Sequence, residues 1–135
     1  MGSVSTYRFF NLWRAIGVAL VIGAVTASLL PLPFRISAHH LDKLWHGLTY
    51  ACMMFWFVQL YGRSRNWILA LGFIGLGILV EGLQSLTGYR TAEVADAVAN
   101  SIGVAVGWGL FQTPLGRTLA WLDRLLARGR GLPES

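Results

Sequence analysis

The sequence predicts an all-α fold: an integral membrane bundle of four transmembrane helices plus a C-terminal amphipathic surface helix. Three observations carry this. The 135 residues are 55% hydrophobic and only 13% charged, with a mean hydropathy of +0.55, whereas a soluble domain carries about 25% charged residues. The apolar residues fall in four runs of roughly 18–20 residues, about 27–30 Å of helix, which matches the hydrocarbon core of a bilayer. Finally, the basic residues flank these runs. The net charge of +5 and pI of about 10.2 therefore read as membrane sidedness and not as a nucleic-acid surface. The length fits one domain. The single cysteine, Cys52, excludes a disulfide within the chain.

Residues 1–14 form a short polar N-terminal segment with Arg8 and Arg14. The first apolar run covers residues 15–32. With positive charge in front and small residues at Val25 and Ala27 it resembles a signal peptide, but it exceeds the usual apolar region of one. The chain after it is itself membranous, so it is read as a retained anchor. Pro31 and Pro33 end it, because neither donates a backbone hydrogen bond. A loop, FRISAHHLDK, precedes the second run, residues 44–61. Gly62–Asn66 form a tight basic turn with Arg63 and Arg65, and the third run covers residues 67–86. Thr87–Thr91 form the next turn, with Gly88 as the breaker, and residues 92–111 make the fourth run. The membrane domain is thus expected over residues 15–112.

Residues 113–135 form an amphipathic C-terminal segment. Leu115, Leu119, Leu122 and Leu126 recur at helical spacing on one face, while Arg117, Arg124 and Arg128 fall opposite, with Trp121 nearer the arginines. Such a helix suits the inner leaflet, where anionic lipids attract arginine; a solvated continuation of the fourth span is the alternative.

In lipid every backbone amide needs a partner within the chain, so the spans must be helical. Four spans place both termini on one side. Arg8, Arg14, Arg63, Arg65, Arg117, Arg124, Arg128 and Arg130 fall on that side; only Arg35, Lys43 and Arg90 fall on the other. The positive-inside rule then makes both termini cytoplasmic, in a multi-pass protein of the inner (plasma) membrane. Cysteine labelling checks this: a probe at the Gly62–Asn66 turn should stay inaccessible from outside while one at Arg90 reacts. Outside labelling of the Gly62–Asn66 turn would reverse the topology.

Polar groups are few and gathered. Asp42, His46 and Tyr50 are four apart and share one face of the second helix, next to Lys43. Glu81 and Gln84 share a face of the third helix, and Asp96 and Asn100 one of the fourth. All lie at the outer ends of their helices, with Arg90 in the turn between the third and fourth. A charge at the centre of a spanning helix costs roughly 2.5–3.5 kcal/mol. Glu81, about 1.5 turns inside, should therefore face inward toward Arg90, Lys43 or His46. Any one of these residues alone is more often a hydrogen bond between helices. Acids, a histidine and an arginine at one end form a polar pocket that packing alone does not require. One pocket histidine with scattered acids is no metal signature, and His39-His40 in the loop adds little. No metal or other cofactor is expected.

The fourth helix also carries Ala95, Ala99, Gly103 and Gly107 at four-residue spacing, a stripe that lets another helix approach closely. Packing within the bundle is its first use, and homodimerisation its second.

The pattern DKLWHGLTY, then EGLQSLTGYR, then DAVANSIGVAVG resembles the VanZ-like family of small bacterial membrane proteins. The three motifs, in this order and each at a helix end, cover residues 42–107. The family's namesake is associated with low-level resistance to the glycopeptide teicoplanin. The resemblance implies a topology more than a reaction, and by position Asp42, Lys43, His46, Tyr50, Glu81, Gln84, Arg90, Asp96 and Asn100 match its motifs. Gly47 stands where an aromatic often follows the histidine.

Three functions are compatible with this sequence. In the first, the protein binds an outer-leaflet membrane lipid or a lipid-linked envelope precursor; Arg90 and Lys43 hold its phosphate, while the acids and His46 orient the head group. In the second, it is an enzyme acting on such a lipid, with His46 or Glu81 as acid–base group; no activated nucleophile stands out, so the catalytic residue is unassigned. In the third, it is a structural accessory subunit.

Overall fold

Among the described residues five α-helices make the bundle: α1 (Phe10–Leu29), α2 (His39–Tyr61), α3 (Asn66–Leu86), α4 (Val94–Phe111) and α5 (Thr118–Gly129). One-turn 3-10 helices at Arg63–Arg65 and Pro114–Arg117 lead into α3 and α5. The computed structural model describes residues 7–30, 39–87 and 93–130; of residues 39–42 it describes the backbone alone. The helices alternate in direction. The starts of α1 and α3 and the ends of α2 and α4 meet at one end, the aromatic end, where α5 also packs. The end of α3 and the starts of α2 and α4 meet at the other, the polar end. Between the ends the core is formed by Tyr50, Met53, Met54, Val58, Ala70, Phe73 and Val104.

α2 runs through the middle. Met54, Val58 and Leu60 are wholly buried, and the helix touches α1, α3, α4 and α5. Its closest neighbour is α4, and small residues make this approach. A Cβ on Gly103 would strike the backbone of Gly47, and one on Gly107 would strike the carbonyl of Ala51. Gly47 in turn faces the carbonyl of Ala99. The small-residue stripe of α4 thus lies against α2 within the chain, and Gly47 is the matching small residue.

Three helices are long and apolar enough to cross a membrane among the described residues: Phe10–Leu29, Arg63–Leu86 and Val94–Phe111. The sequence led us to expect four. α2 is the longest helix at 23 residues, yet His39, His40, Asp42, Lys43, His46 and Gln59 dilute its apolar character. The other three expose Ile22, Leu71, Ile78, Leu79, Val98 and Ile102, the apolar surface that lipid-facing helices carry.

Two helices begin earlier than predicted. α1 starts at Phe10 and not near Ala15, and α2 starts at His39 and not near Leu44. The early start of α1 has a tertiary cause. Its N-cap, Phe9, offers no capping side chain; instead Asp123 of α5 accepts hydrogen bonds from the backbone N–H of Arg8 (2.9 Å) and of Phe9 (3.0 Å), and from Trp13 Nε1 (2.7 Å). A carboxylate there also suits the positive end of the α1 dipole. Gln59 ties α2 to both partners: its Oε1 accepts from the N–H of Leu119 at 2.9 Å, and its backbone carbonyl accepts from the Tyr7 hydroxyl at 2.8 Å. Around these bonds pack Tyr7, Trp13, Leu60 and Leu119, with Trp56, Tyr61 and Leu122.

α5 therefore uses its leucines differently from the sequence reading. Leu119 is 1% exposed, and it docks with Leu122 onto the bundle. Leu115, Trp121, Leu125 and Leu126 stay exposed, as do Arg117, Arg124 and Arg128. Pro114 opens the preceding turn, and Thr113 Oγ1 accepts from the N–H of Leu115 at 3.3 Å. Asn66 closes the same end of the bundle: with its amide oriented by its neighbours, Nδ2 donates to the Gly62 carbonyl at 2.8 Å and Oδ1 accepts from Trp108 Nε1 at 3.1 Å.

Candidate polar ligand site

The polar end is assembled from α2, α3 and α4. In α2 Lys43 starts a face that continues, a turn at a time, with His46 and Tyr50. In α3 Glu81 and Gln84 occupy the last turns, and in α4 Asp96 and Asn100 the first two. His46 (8% exposed), Tyr50 (5%), Glu81 (7%), Gln84 (2%), Asp96 (7%) and Asn100 (2%) are all buried, so these polar groups meet protein rather than lipid.

Their partners divide them. Lys43 Nζ pairs with Glu93 Oε2 at 2.7 Å and stands 3.7 Å from Asp96 Oδ1. This bridge joins the start of α2 to the start of α4. Glu81 Oε1 accepts the backbone N–H of Glu93 at 2.7 Å. Glu81 thus does for α4 what Asp123 does for α1: the N-cap of α4, Glu93, has no capping side chain of its own, and a carboxylate from another helix supplies it. The sequence reading gave Glu81 a cationic partner; the structure gives it a helix N-terminus, which offers positive character without a side-chain charge.

Gln84 turns elsewhere: its Nε2 donates to the carbonyl of Ser28 at 2.8 Å, which pins α3 to the end of α1. Tyr50 is shared between the site and the apolar core. Asn100 lies deepest, against Gly77 of α3, with Nδ2 3.1 Å and the Tyr50 ring 3.5 Å from where a Cβ of Gly77 would sit. Two acceptors lack a hydrogen-bond partner here: Asp96 Oδ1 and Asn100 Oδ1. Buried acceptors are paired in the great majority of cases, so these two mark where an incoming group could bind.

Arg90 and the side chain of Asp42 lie outside the described residues. Glu93, which sequence reasoning did not count among the site residues, is the main partner of Lys43; its position three residues before Asp96, at the start of α4, was the available signal. No group of three or more His, Cys, Asp or Glu side chains is placed to hold a metal ion among the described residues. An apolar groove of about 380 Å³ lies between α3 and α4, lined by Ile78, Val94, Val98, Ser101 and Ile102 and by none of the site residues.

A family model described as VanZ/LLP1 matches residues 3–117. No curated protein and no solved structure matches the chain.

Proposed function

The chain belongs to the VanZ/LLP1 family, and from that premise we propose that it is a multi-pass protein of the bacterial plasma membrane that binds a lipid or lipid-linked envelope precursor at the polar end. The observation that carries this reading is the burial of His46, Glu81, Asp96 and Asn100 together at one end of an otherwise apolar bundle. In this reading α2 is the fourth span: His46, Tyr50 and Gln59 are buried against its neighbours, so they are tolerated, while Leu44, Trp45 and Leu48 are exposed to lipid. The aromatic end, with Arg63, Arg65, Arg117 and Arg124, faces the cytoplasm, and the polar end opens to the outer leaflet. Arg65 over the Tyr61 ring at 5.9 Å and Arg130 over Phe9 at 5.1 Å suit a membrane interface. The family's namesake makes protection against teicoplanin a phenotype worth measuring. An enzyme acting on a lipid head group and a structural subunit are the competing readings.

Two arginines test the proposal. Arg90 stands in the sequence between Glu81 and Glu93, where the positive-inside reading disfavours a basic residue, so we assign it a phosphate or acidic partner. Arg90→Lys keeps the charge and loses the planar fork. It should weaken stabilisation by added envelope lipid roughly tenfold. Arg124 on α5 is exposed, and there charge matters more than geometry, so Arg124→Lys should be silent. Thermal melts with lipid read both variants, and teicoplanin susceptibility of an expressing host gives a second readout. Equal effects at equal protein level would reduce Arg90 to a topology charge and remove the ligand reading. Turnover of a purified lipid, abolished in His46→Ala, would favour the enzyme.

A further inference from the structure

We infer that the outer face of α5 is a binding surface for anionic phospholipid head groups, those of the leaflet at the aromatic end; this is a second surface, apart from the ligand of the polar end. α5 has two unlike faces. Leu119 and Asp123 are its buried residues, and Leu122 docks beside them. Arg117, Trp121, Arg124 and Arg128 follow one another at steps of four, three and four residues, which puts them on one stripe. All four are exposed. Leu125, four residues after Trp121 and also exposed, widens the stripe. The amphipathic pattern read from the sequence is therefore turned round. Leu119 and Leu122 are spent on the bundle, and what α5 presents outward is an arginine face with a tryptophan in it.

Charge and side-chain type identify the occupant. Arg14, Arg63, Arg65, Arg117, Arg124 and Arg130 all stand exposed at the aromatic end. The one acidic side chain among the described residues of that end, Asp123, accepts from the N–H groups of Arg8 and Phe9 and from Trp13. The complement of such a face is an anion. Arginines alone would serve an acidic protein or a nucleic acid in water. Trp121, 53% exposed, and Leu125 add apolar surface that suits a boundary between water and hydrocarbon, where tryptophan collects. There arginine stems lie along apolar surface with their heads at the phosphates. α5 sits at that depth: it packs where α3 begins, next to the exposed Trp67, the level at which a spanning helix leaves the hydrocarbon. On a fluid leaflet the number of charges counts for more than any one geometry.

The test uses the full chain in phosphatidylcholine nanodiscs, with and without phosphatidylglycerol as the anionic probe. The fluorescence of Trp121 is taken as the difference between the parent and Trp121→Phe. Its quenchers are lipids brominated near the head group or deep in the chains, and acrylamide in the water. Head-group bromines should quench Trp121, and acrylamide should not. Phosphatidylglycerol should be retained over phosphatidylcholine in native mass spectrometry. That preference should fall about fivefold with each of Arg117→Gln and Arg124→Gln, while Arg117→Lys and Arg124→Lys keep it. Both arginines are exposed, so the melting temperature in phosphatidylcholine should be the same for all four variants. Trp121 open to acrylamide and untouched by either brominated lipid would turn the face to a partner in water and overturn the inference. An equal preference for phosphatidylglycerol in the parent and in the Arg117→Gln, Arg124→Gln double variant would overturn it as well, leaving α5 with no hold on the head groups. Absence of a ligand at the polar end would leave the Trp121 readout unmoved, so the two proposals fail separately.

Discussion

Gly103→Leu should abolish the folded bundle. The residue sits where α4 crosses α2, and any Cβ there runs into the carbonyl oxygen, carbonyl carbon and Cα of Gly47. An overpacked core usually relaxes by moving side chains, at a cost of about 1–3 kcal/mol. Here the obstacle is backbone, so the two helices must separate, and the separation unpacks Met54 and Val104, which are 0% and 2% exposed. We therefore expect a loss at or above the top of that range, about 3 kcal/mol or more. Gly109 supplies the control. It lies on the same helix with nothing within 4 Å of its Cβ position, and Gly109→Leu should leave the melting temperature in detergent unchanged. Equal melts for the two variants would mean that α2 and α4 do not pack as described.

Asp123→Leu should release α5. The carboxylate accepts three hydrogen bonds, from the N–H of Arg8, the N–H of Phe9 and Trp13 Nε1. Leucine leaves those donors without an acceptor in a place where Trp13 is 6% exposed. A buried donor left unmade costs about 1–3 kcal/mol, and some of the three will recover water once α5 moves. A net loss of about 2–4 kcal/mol follows. Asp123→Asn keeps one acceptor oxygen and should lose about half as much. Limited proteolysis reads the outcome directly: cleavage after Arg117 and Arg124 should rise in Asp123→Leu well before the spans unfold. If both variants cleave like the parent, Leu119, Leu122 and the Gln59 bond hold α5 without the carboxylate.

The helices were legible because lipid imposes them. In lipid a long apolar run can only be helical; three of the four expected runs are long and apolar enough to span among the described residues, and the ends of α3 and α4 fell within two residues of the expected positions. Where the sequence misplaced the starts of α1 and α4, the cause was capping from a distance. Phe9 and Glu93 carry no local capping signal; Asp123, more than 110 residues away, and Glu81, 12 residues away, supply it. No window along the chain contains that pairing. The gathering of His46, Glu81, Asp96 and Asn100 was legible from helical spacing and from the cost of polar groups in lipid. The division of labour among them was not. Gln84 holds α1, Glu81 holds α4, and among the described residues the acceptors Asp96 Oδ1 and Asn100 Oδ1 have no hydrogen-bond partner. Gln59 and Asp123 went unnoticed at the other end because each is isolated in sequence, and only the fold brings them beside Tyr7 and Trp13.

The Asp123 contact also sets a clock on synthesis. α1 leaves the ribosome well before α5, and its N-terminal amides wait for a carboxylate up to 115 residues behind them. At 5–20 residues per second that interval is roughly 6–23 s. Throughout it, α1 must reside in the bilayer with Arg8 and Phe9 satisfied by interfacial water. α5, made after α1–α4, is thus the helix that fastens the start of α1, and a ribosome stalled before Asp123 would leave that clasp open.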